Sequence, residues 1–304
     1  MADWRALVLA GCLAVVSTEL ASAADFLPPA PTLPPPSTEF NGWYLRGDVG
    51  FGVNPRMPEL KITPDPIAAG IADDLLSASA VQSFNNTTLS RFGMVDVGAG
   101  YQFSDWFRLD GTFEYRGGAN LKSLYTLSGP AALAFGGGPL QNDDFYRADV
   151  SSIIGLINAY VDLGTWYGVT PYVGGGFGFA DNKVSGFADY GFGFANFIPL
   201  APANGFFSGA SKTSFAWALM AGLDFRINDE LKLEFGYRHL DYGSITTGAS
   251  HCLAGANGGV FSSANCSGVA NFVSSRNRLA SNDFRLGLIY MFGQASPPAL
   301  ISIR

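Results

Sequence analysis

The residues best suited to chemistry in this 304-residue chain are two histidines, His239 and His251, and three cysteines, Cys12, Cys252 and Cys266. A nucleophilic site needs a Ser or Cys against a His, with an acid orienting the imidazole. His239 stands in Arg-His-Leu-Asp-Tyr-Gly (238–243), with Asp241 two residues on and no Ser adjoining it, and is expected at a strand rim. His251 precedes Cys252, but no further ligands cluster there to complete a metal site. Cys252 and Cys266 are expected to form a disulfide closing a modest loop. The Gly-rich stretch Gly174-Gly175-Gly176-Phe177-Gly178 is followed by neither a Lys nor a helix start, so it is no phosphate loop. The chain is therefore expected to be no enzyme, with no catalytic residue, metal ligand or cofactor.

A larger set of charged residues alternates with apolar ones. Arg46, Arg108, Arg116, Arg226, Lys232, Arg238 and Arg285 fall on the polar faces of strand-like stretches, as do Asp48, Asp96, Asp110, Glu114, Asp162, Asp224, Glu234 and Asp283. Charges of both signs in a narrow low-dielectric space are expected to pair into a network. Glycines on the same faces, such as Gly50, Gly98, Gly100, Gly222, Gly236 and Gly287, leave room for long Arg and Tyr side chains.

The elements that carry these residues are strands of period two. They are expected at Gly42–Val53, Arg91–Phe103, Trp106–Gly117, Tyr146–Leu163, Gly168–Ala180, Thr213–Ile227, Leu231–Gly243 and Ser281–Phe292. In the last, Phe284, Leu286, Leu288, Tyr290 and Phe292 oppose Asp283 and Arg285. A short helix is expected within Pro66–Ala80, and Gly-rich loops at 118–144 and 181–212. The opposite apolar faces can cover a soluble core or face lipid.

Three features favour lipid. Each strand is long enough to cross a tilted hydrocarbon core. Short turns follow strands two, four and six, whereas long loops follow strands one, three, five and seven, the asymmetry of outer-membrane barrels. Trp43, Tyr101, Phe103, Trp106, Phe107, Trp166, Tyr167, Phe225 and Phe292 collect at the turn side as an aromatic belt. The expected fold is all-β: an eight-stranded antiparallel transmembrane up-and-down barrel with four long extracellular loops and three short periplasmic turns. Charged residues make up only 14% of the chain, 14% is aromatic and 38 residues are Gly, which suits a chain not solvated on every side. A formal net charge of −7 argues against nucleic acid as a partner.

Arg5, the apolar run Ala6–Val16 and Ala21-Ser22-Ala23 read as a signal peptide, 1–23. Leu9-Ala10-Gly11-Cys12 also resembles a lipoprotein signal, but few apolar residues precede Cys12. A Pro-rich periplasmic linker is expected at 24–41, the barrel at 42–292 and a C-terminal extension at 293–304.

Four stretches carry a resemblance: GWYLRGDVGFG (42–52), PYVGGGFGF (171–179), LEFGYRHLDYG (233–243) and NDFRLGLIYMF (282–292). Together they resemble the opacity-type surface antigens, small porin-family outer-membrane proteins with one eight-stranded barrel. The resemblance implies a Gram-negative outer-membrane protein with a structural, envelope-integrity or adhesin-like role. The alternatives are a narrow diffusion channel and, more distantly, a lipid-modifying enzyme. Tyr290 and Phe292 are the expected assembly signal, although the family usually ends on its terminal aromatic and this chain runs on for twelve residues. The expected partners are outer-membrane lipid, the barrel-assembly machinery and, through loops or linker, a host-surface, matrix or peptidoglycan ligand.

Overall fold

The computed structural model describes residues 42–56, 60–63, 81–130, 139–195, 197–199, 203–253, 271–274 and 278–292, all within the unit Glu39–Arg304. The expected signal peptide, linker, Pro66–Ala80 helix, Cys266 and C-terminal extension lie outside the described residues.

Fourteen strands are present among the described residues: β1 (Gly42–Arg56), β2 (Leu60–Thr63), β3 (Val81–Leu89), β4 (Phe92–Ser104), β5 (Phe107–Pro130), β6 (Pro139–Asp162), β7 (Val169–Ala195), β8 (Ile198–Pro199), β9 (Ala203–Phe207), β10 (Ala210–Arg226), β11 (Leu231–Gly243), β12 (Ser250–Leu253), β13 (Asn271–Ser274) and β14 (Leu279–Met291). Eight of them form a closed antiparallel ring in the order β1-β4-β5-β6-β7-β10-β11-β14. β14 pairs back onto β1, with Leu45 opposite Tyr290 and Phe51 opposite Phe284. β7 pairs with β10, with Phe177 opposite Trp217. Closure removes both edges, which would otherwise expose unpaired backbone groups.

The short turns gather at one end. In the β6–β7 turn, Gly164 (φ 107°), Tyr167 (φ 53°) and Gly168 (φ 81°) take the left-handed conformations that so tight a reversal requires. In the β10–β11 turn, Asn228 Oδ1 accepts from the backbone N–H groups of Glu230 and Leu231 at 2.9 and 2.8 Å. The other end carries the long connections. There β3 adds to β5, and β9 adds to β7 and carries β12.

The strands run further towards the loop end than their alternation suggests. β5 and β6 have 24 residues each and β7 has 27, against about 9–11 needed to cross a membrane. The stretches 118–130, 139–144 and 181–195, expected as loop, are strand. β-Bulges hide this continuation. The β5–β6 register shifts between Arg116 and Ala119, and Gly118 has φ 82°. In β7, Gly186 has φ 60°, where the β6–β7 register also shifts. Each bulge inserts one residue, so inward positions change from even to odd numbers and simple alternation breaks.

The two faces also exchange character along the strands. On the turn-side half of β6, Ile153, Ile157 and Val161, and Leu163 just after it, point outward and exposed, while Asn158, Tyr160 and Asp162 are buried inside. Beyond Ser152 this reverses: Asp149 and Arg147 point outward, and Ala148 and Val150 are buried. β7 does the same, with Phe177 and Phe179 exposed below, then Lys183 exposed beside buried Val184. The lower half has the polarity of a wall facing oil and the upper half that of a wall facing water. From Ile153 to Leu163 is about 25 Å of height at a rise of about 3.3 Å per residue and a tilt of about 40°.

Candidate functional site

The lower lumen is filled by charged side chains that reach across it. Near the turn end, Arg108 lies 3.3 Å from Asp162 and 3.1 Å from Asp224. Its guanidinium also covers the Tyr160 and Tyr172 rings, 4.6 and 4.9 Å from their centroids. One layer up, Arg46 donates to Asp48 at 2.8 Å, Glu234 at 2.7 Å, Asp110 at 3.1 Å and the Tyr160 hydroxyl at 3.0 Å. Arg285 ties Asp48 and Asp96, register partners on β1 and β4, at 3.1 and 2.7 Å. In the third layer, Arg116 contacts Glu114, Ser281 and Asp283, the last two at 2.7 Å. Arg238 there contacts Glu114 at 2.5 Å and Asp283 at 2.8 Å.

Several of these bonds join strands that are not neighbours in the wall. β5 and β11 stand four places apart in a ring of eight, so the Glu114–Arg238 bond crosses its diameter. Arg46, Arg108, Arg116, Lys232, Arg238 and Arg285 are all buried, as are Asp48, Asp96, Asp110, Glu114, Asp162, Asp224, Glu234 and Asp283. Arg226, expected in this network, is exposed at the turn-end rim, because β10 reaches its mouth there. The space for such long side chains comes from small residues opposite them. A Cβ on Gly100 would strike the Tyr44 ring, and one on Gly287 would strike the Asp48 carboxylate. Tyr44 uses that room to donate to Asp110 Oδ2 at 3.1 Å.

Above the ion pairs the lumen turns apolar. Asn182 marks the junction, donating to the Tyr242 carbonyl at 2.7 Å and accepting from the Ser152 hydroxyl at 2.6 Å. Phe92, Leu121, Val150, Val184, Leu279 and their neighbours form a buried cluster there. A chain of rings, Tyr125–Tyr146–Phe187–Phe207, continues it upward, each pair of centroids 5.1–6.5 Å apart. Simple alternation does not reveal this apolar cap, part of which, including Leu121, Tyr125 and Phe187, sits beyond the bulges.

The expected belt residues Trp43, Tyr101, Phe103, Trp106, Phe107, Trp166, Tyr167, Phe225 and Phe292 all sit at the turn end. Trp43–Tyr101 and Tyr101–Phe103 stack edge to face at 5.3 and 4.9 Å. Tyr290 packs on Phe292 at 5.1 Å, and the Phe292 N–H donates to the Trp43 carbonyl at 2.8 Å. A second girdle stands opposite the first: Phe51, Tyr115, Phe179, Phe215, Tyr237 and Phe284 are exposed near the upper edge of the apolar band.

His239 Nδ1 lies 2.8 Å from Asn282 Oδ1 and its ring 5.8 Å from Trp217, on the outward face. His251 meets a serine that sequence proximity could not show: Ser208 Oγ is 2.8 Å from its Nε2, and Phe206 stacks on the ring at 4.7 Å. Ser208 also bonds through its backbone to Gly248 and Ala249. Among the described residues no carboxylate contacts His251, so this pair ties the residue after β9 to β12 without the acid of a triad. The Cys252–Cys266 disulfide expectation lies outside the described residues.

The model of the outer membrane protein beta-barrel domain family matches residues 9–292. The chain belongs to this family. An uncharacterised protein of Brucella abortus (strain 2308) is 29% identical over 240 residues, 75% of this chain and 78% of that one. Outer membrane protein PagN of Salmonella typhimurium is 26% identical over 200 residues, 64% of this chain and 71% of its own. Among solved structures, OprG of Pseudomonas aeruginosa matches with a TM-score of 0.38 and 14% identity, over 84% of this chain and 97% of that chain. Neisserial surface protein A matches at 0.34 and 12%, over 83% and 97%. The outward apolar band is thus the lipid-facing surface of an outer-membrane barrel, and the upper parts of β5, β6 and β7 project beyond it.

In that projection Asp189 and Asp144 point inward from diagonal positions, since Asp189 is opposite Tyr146 and Asp144 opposite Gly191. Burial, then the neighbouring Asp144 carboxylate, pushes Asp189 up to about 8. Burial and the same two carboxylates raise Tyr146 well above the ordinary phenol range.

Proposed function

We propose that the protein is a non-catalytic surface barrel of a Gram-negative outer membrane, with the loop end outside and the N-terminus periplasmic. Its role in this reading is structural, supporting the envelope, and adhesive through the loop-end projection. The observation that carries the reading is the double closure of the lumen. Salt bridges between non-adjacent strands brace its lower half, and an aromatic and aliphatic cluster fills its upper half. A braced, filled barrel is a poor path for solute and a rigid stalk for what stands on it. The projection is that stalk: three strands stand well beyond the lipid-facing band and carry β3, β9 and β12.

Insertion would rely on the barrel-assembly machinery reading Tyr290 and Phe292, and the ligand of the projection would be a host-surface, matrix or peptidoglycan component. The test is a trimmed barrel in which short turns join Gly117 to Ser152 and Ala180 to Thr213. Cells displaying the trimmed chain should keep a heat-modifiable barrel and lose attachment to immobilised matrix and host-cell surfaces. Equal attachment by trimmed and full-length chains would remove the adhesive role.

A further inference from the structure

The projection has water-facing polarity up to one level, where it reverses again. Phe145 on β6 and Tyr190 and Phe192 on β7 point outward, each about half exposed, while Asp144 and Asp189 point inward. Phe145 and Phe192 stack at 5.7 Å. With Leu124 they line a groove of about 640 Å³ on the outer wall. Lys122 and Arg147, both exposed, form its membrane-side rim. They are register partners on β5 and β6. Like charges directly opposite each other repel, and here no ion pair with a described residue offsets the repulsion. The nearby Asp149 is one step closer to the membrane, its carboxylate beside Gly186. Two apposed cations beneath a shelf of aromatic rings suit an anion attached to something flat and partly apolar.

We infer that this groove binds the phosphorylated saccharide headgroup of an outer-leaflet glycolipid. Height and direction select that occupant. Arg147 is six residues above Ile153, the last lipid-facing position of β6. At about 3.3 Å per residue and a tilt of about 40°, Arg147 stands about 15 Å above the hydrocarbon edge, with Phe145 about 5 Å higher and Phe192 about 10 Å higher. The groove opens sideways at the height of the sugar layer of neighbouring lipids, where a soluble macromolecule would first have to displace those sugars. Phosphate would seat between Lys122 and Arg147, and a pyranose face would lie on Phe145 and Phe192. The inference rests on the orientation proposed above and is independent of adhesion.

The test uses the full chain folded in detergent micelles. Its probes are rough-type lipopolysaccharide with a phosphorylated core, the same lipid dephosphorylated, lipid A without core, and the phosphorylated core oligosaccharide freed of acyl chains. The expected result is preferential binding of the phosphorylated-core lipid, competition by the free core, and at least tenfold weaker binding by Lys122→Gln/Arg147→Gln. Phe145→Ser/Phe192→Ser should weaken binding similarly, and each variant should keep the wild-type mobility shift on boiling. Equal affinity of a heat-modifiable variant and the wild type would overturn the site, as would lipid A or the dephosphorylated lipid binding as well as the phosphorylated-core form. The trimming experiment on adhesion can fail without affecting these outcomes.

Discussion

Glu114 on β5 and Arg238 on β11 meet at 2.5 Å across the full diameter of the barrel; Glu114 also pairs with Arg116, Arg238 with Asp283, and those two with each other. Removing one carboxylate leaves two buried guanidinium groups short of charge. Glu114→Ala should therefore destabilise the barrel by about 3–5 kcal/mol, the usual cost of breaking a buried pair. Replacing Glu114, Arg116, Arg238 and Asp283 together with apolar residues of similar volume should cost far less. Urea titration of the folded barrel, followed by the boiled and unboiled gel mobilities, measures both.

The second expectation concerns space. Gly100 faces the Tyr44 ring and the Leu109 carbonyl, whereas Gly111 has nothing within 4 Å of where a Cβ would stand. Gly100→Ala should lower the folded yield and the thermal midpoint by displacing Tyr44 from Asp110. Gly111→Ala, on the outer face, should leave both unchanged. Parallel refolding into micelles reads the difference.

The spanning half of the molecule is legible in the sequence because its alternation is uninterrupted. Ile153, Ile157 and Val161 against Asn158, Tyr160 and Asp162 give both the strand and its faces. The charged lumen follows from the same parity, apart from Arg226, since parity cannot tell where a strand meets solvent. The projection is hidden for two physical reasons. The bulges at Gly118 and Gly186 shift parity by one. Past Ser152 the polar and apolar faces exchange roles as the wall leaves lipid for water. The Ser208–His251 contact is illegible for a third reason, since β9 and β12 are brought together only by pairing.

Acidity should act on the projection. Asp189 is held at about 8 by burial and by Asp144, above its value of about 3.9 in an unfolded chain. The folded state therefore binds the proton more tightly, and its stabilisation is complete below about pH 4 and lost as pH rises to about 8. Hydrogen exchange in the upper parts of β6 and β7 should quicken across that window. Asp189→Asn should flatten the dependence, and a pH profile unchanged by this substitution would remove Asp189 as its cause.

At the turn end, Phe292 both stacks on Tyr290 and bonds to the Trp43 backbone where the ring closes. Phe292→Ala should reduce the heat-modifiable fraction in outer membranes more than deletion of residues 293–304. The opposite ranking would place the assembly signal in the tail.

A closed lumen distinguishes a braced barrel from a pore. Arg46, Arg108, Arg116, Arg238 and Arg285 are all buried in ion pairs between non-adjacent strands, beneath the apolar cluster. Folded wild-type protein, verified by its mobility shift on boiling, should give no reproducible conductance steps in planar bilayers. Regular steps from correctly folded protein would contradict the braced barrel and favour a narrow diffusion pore.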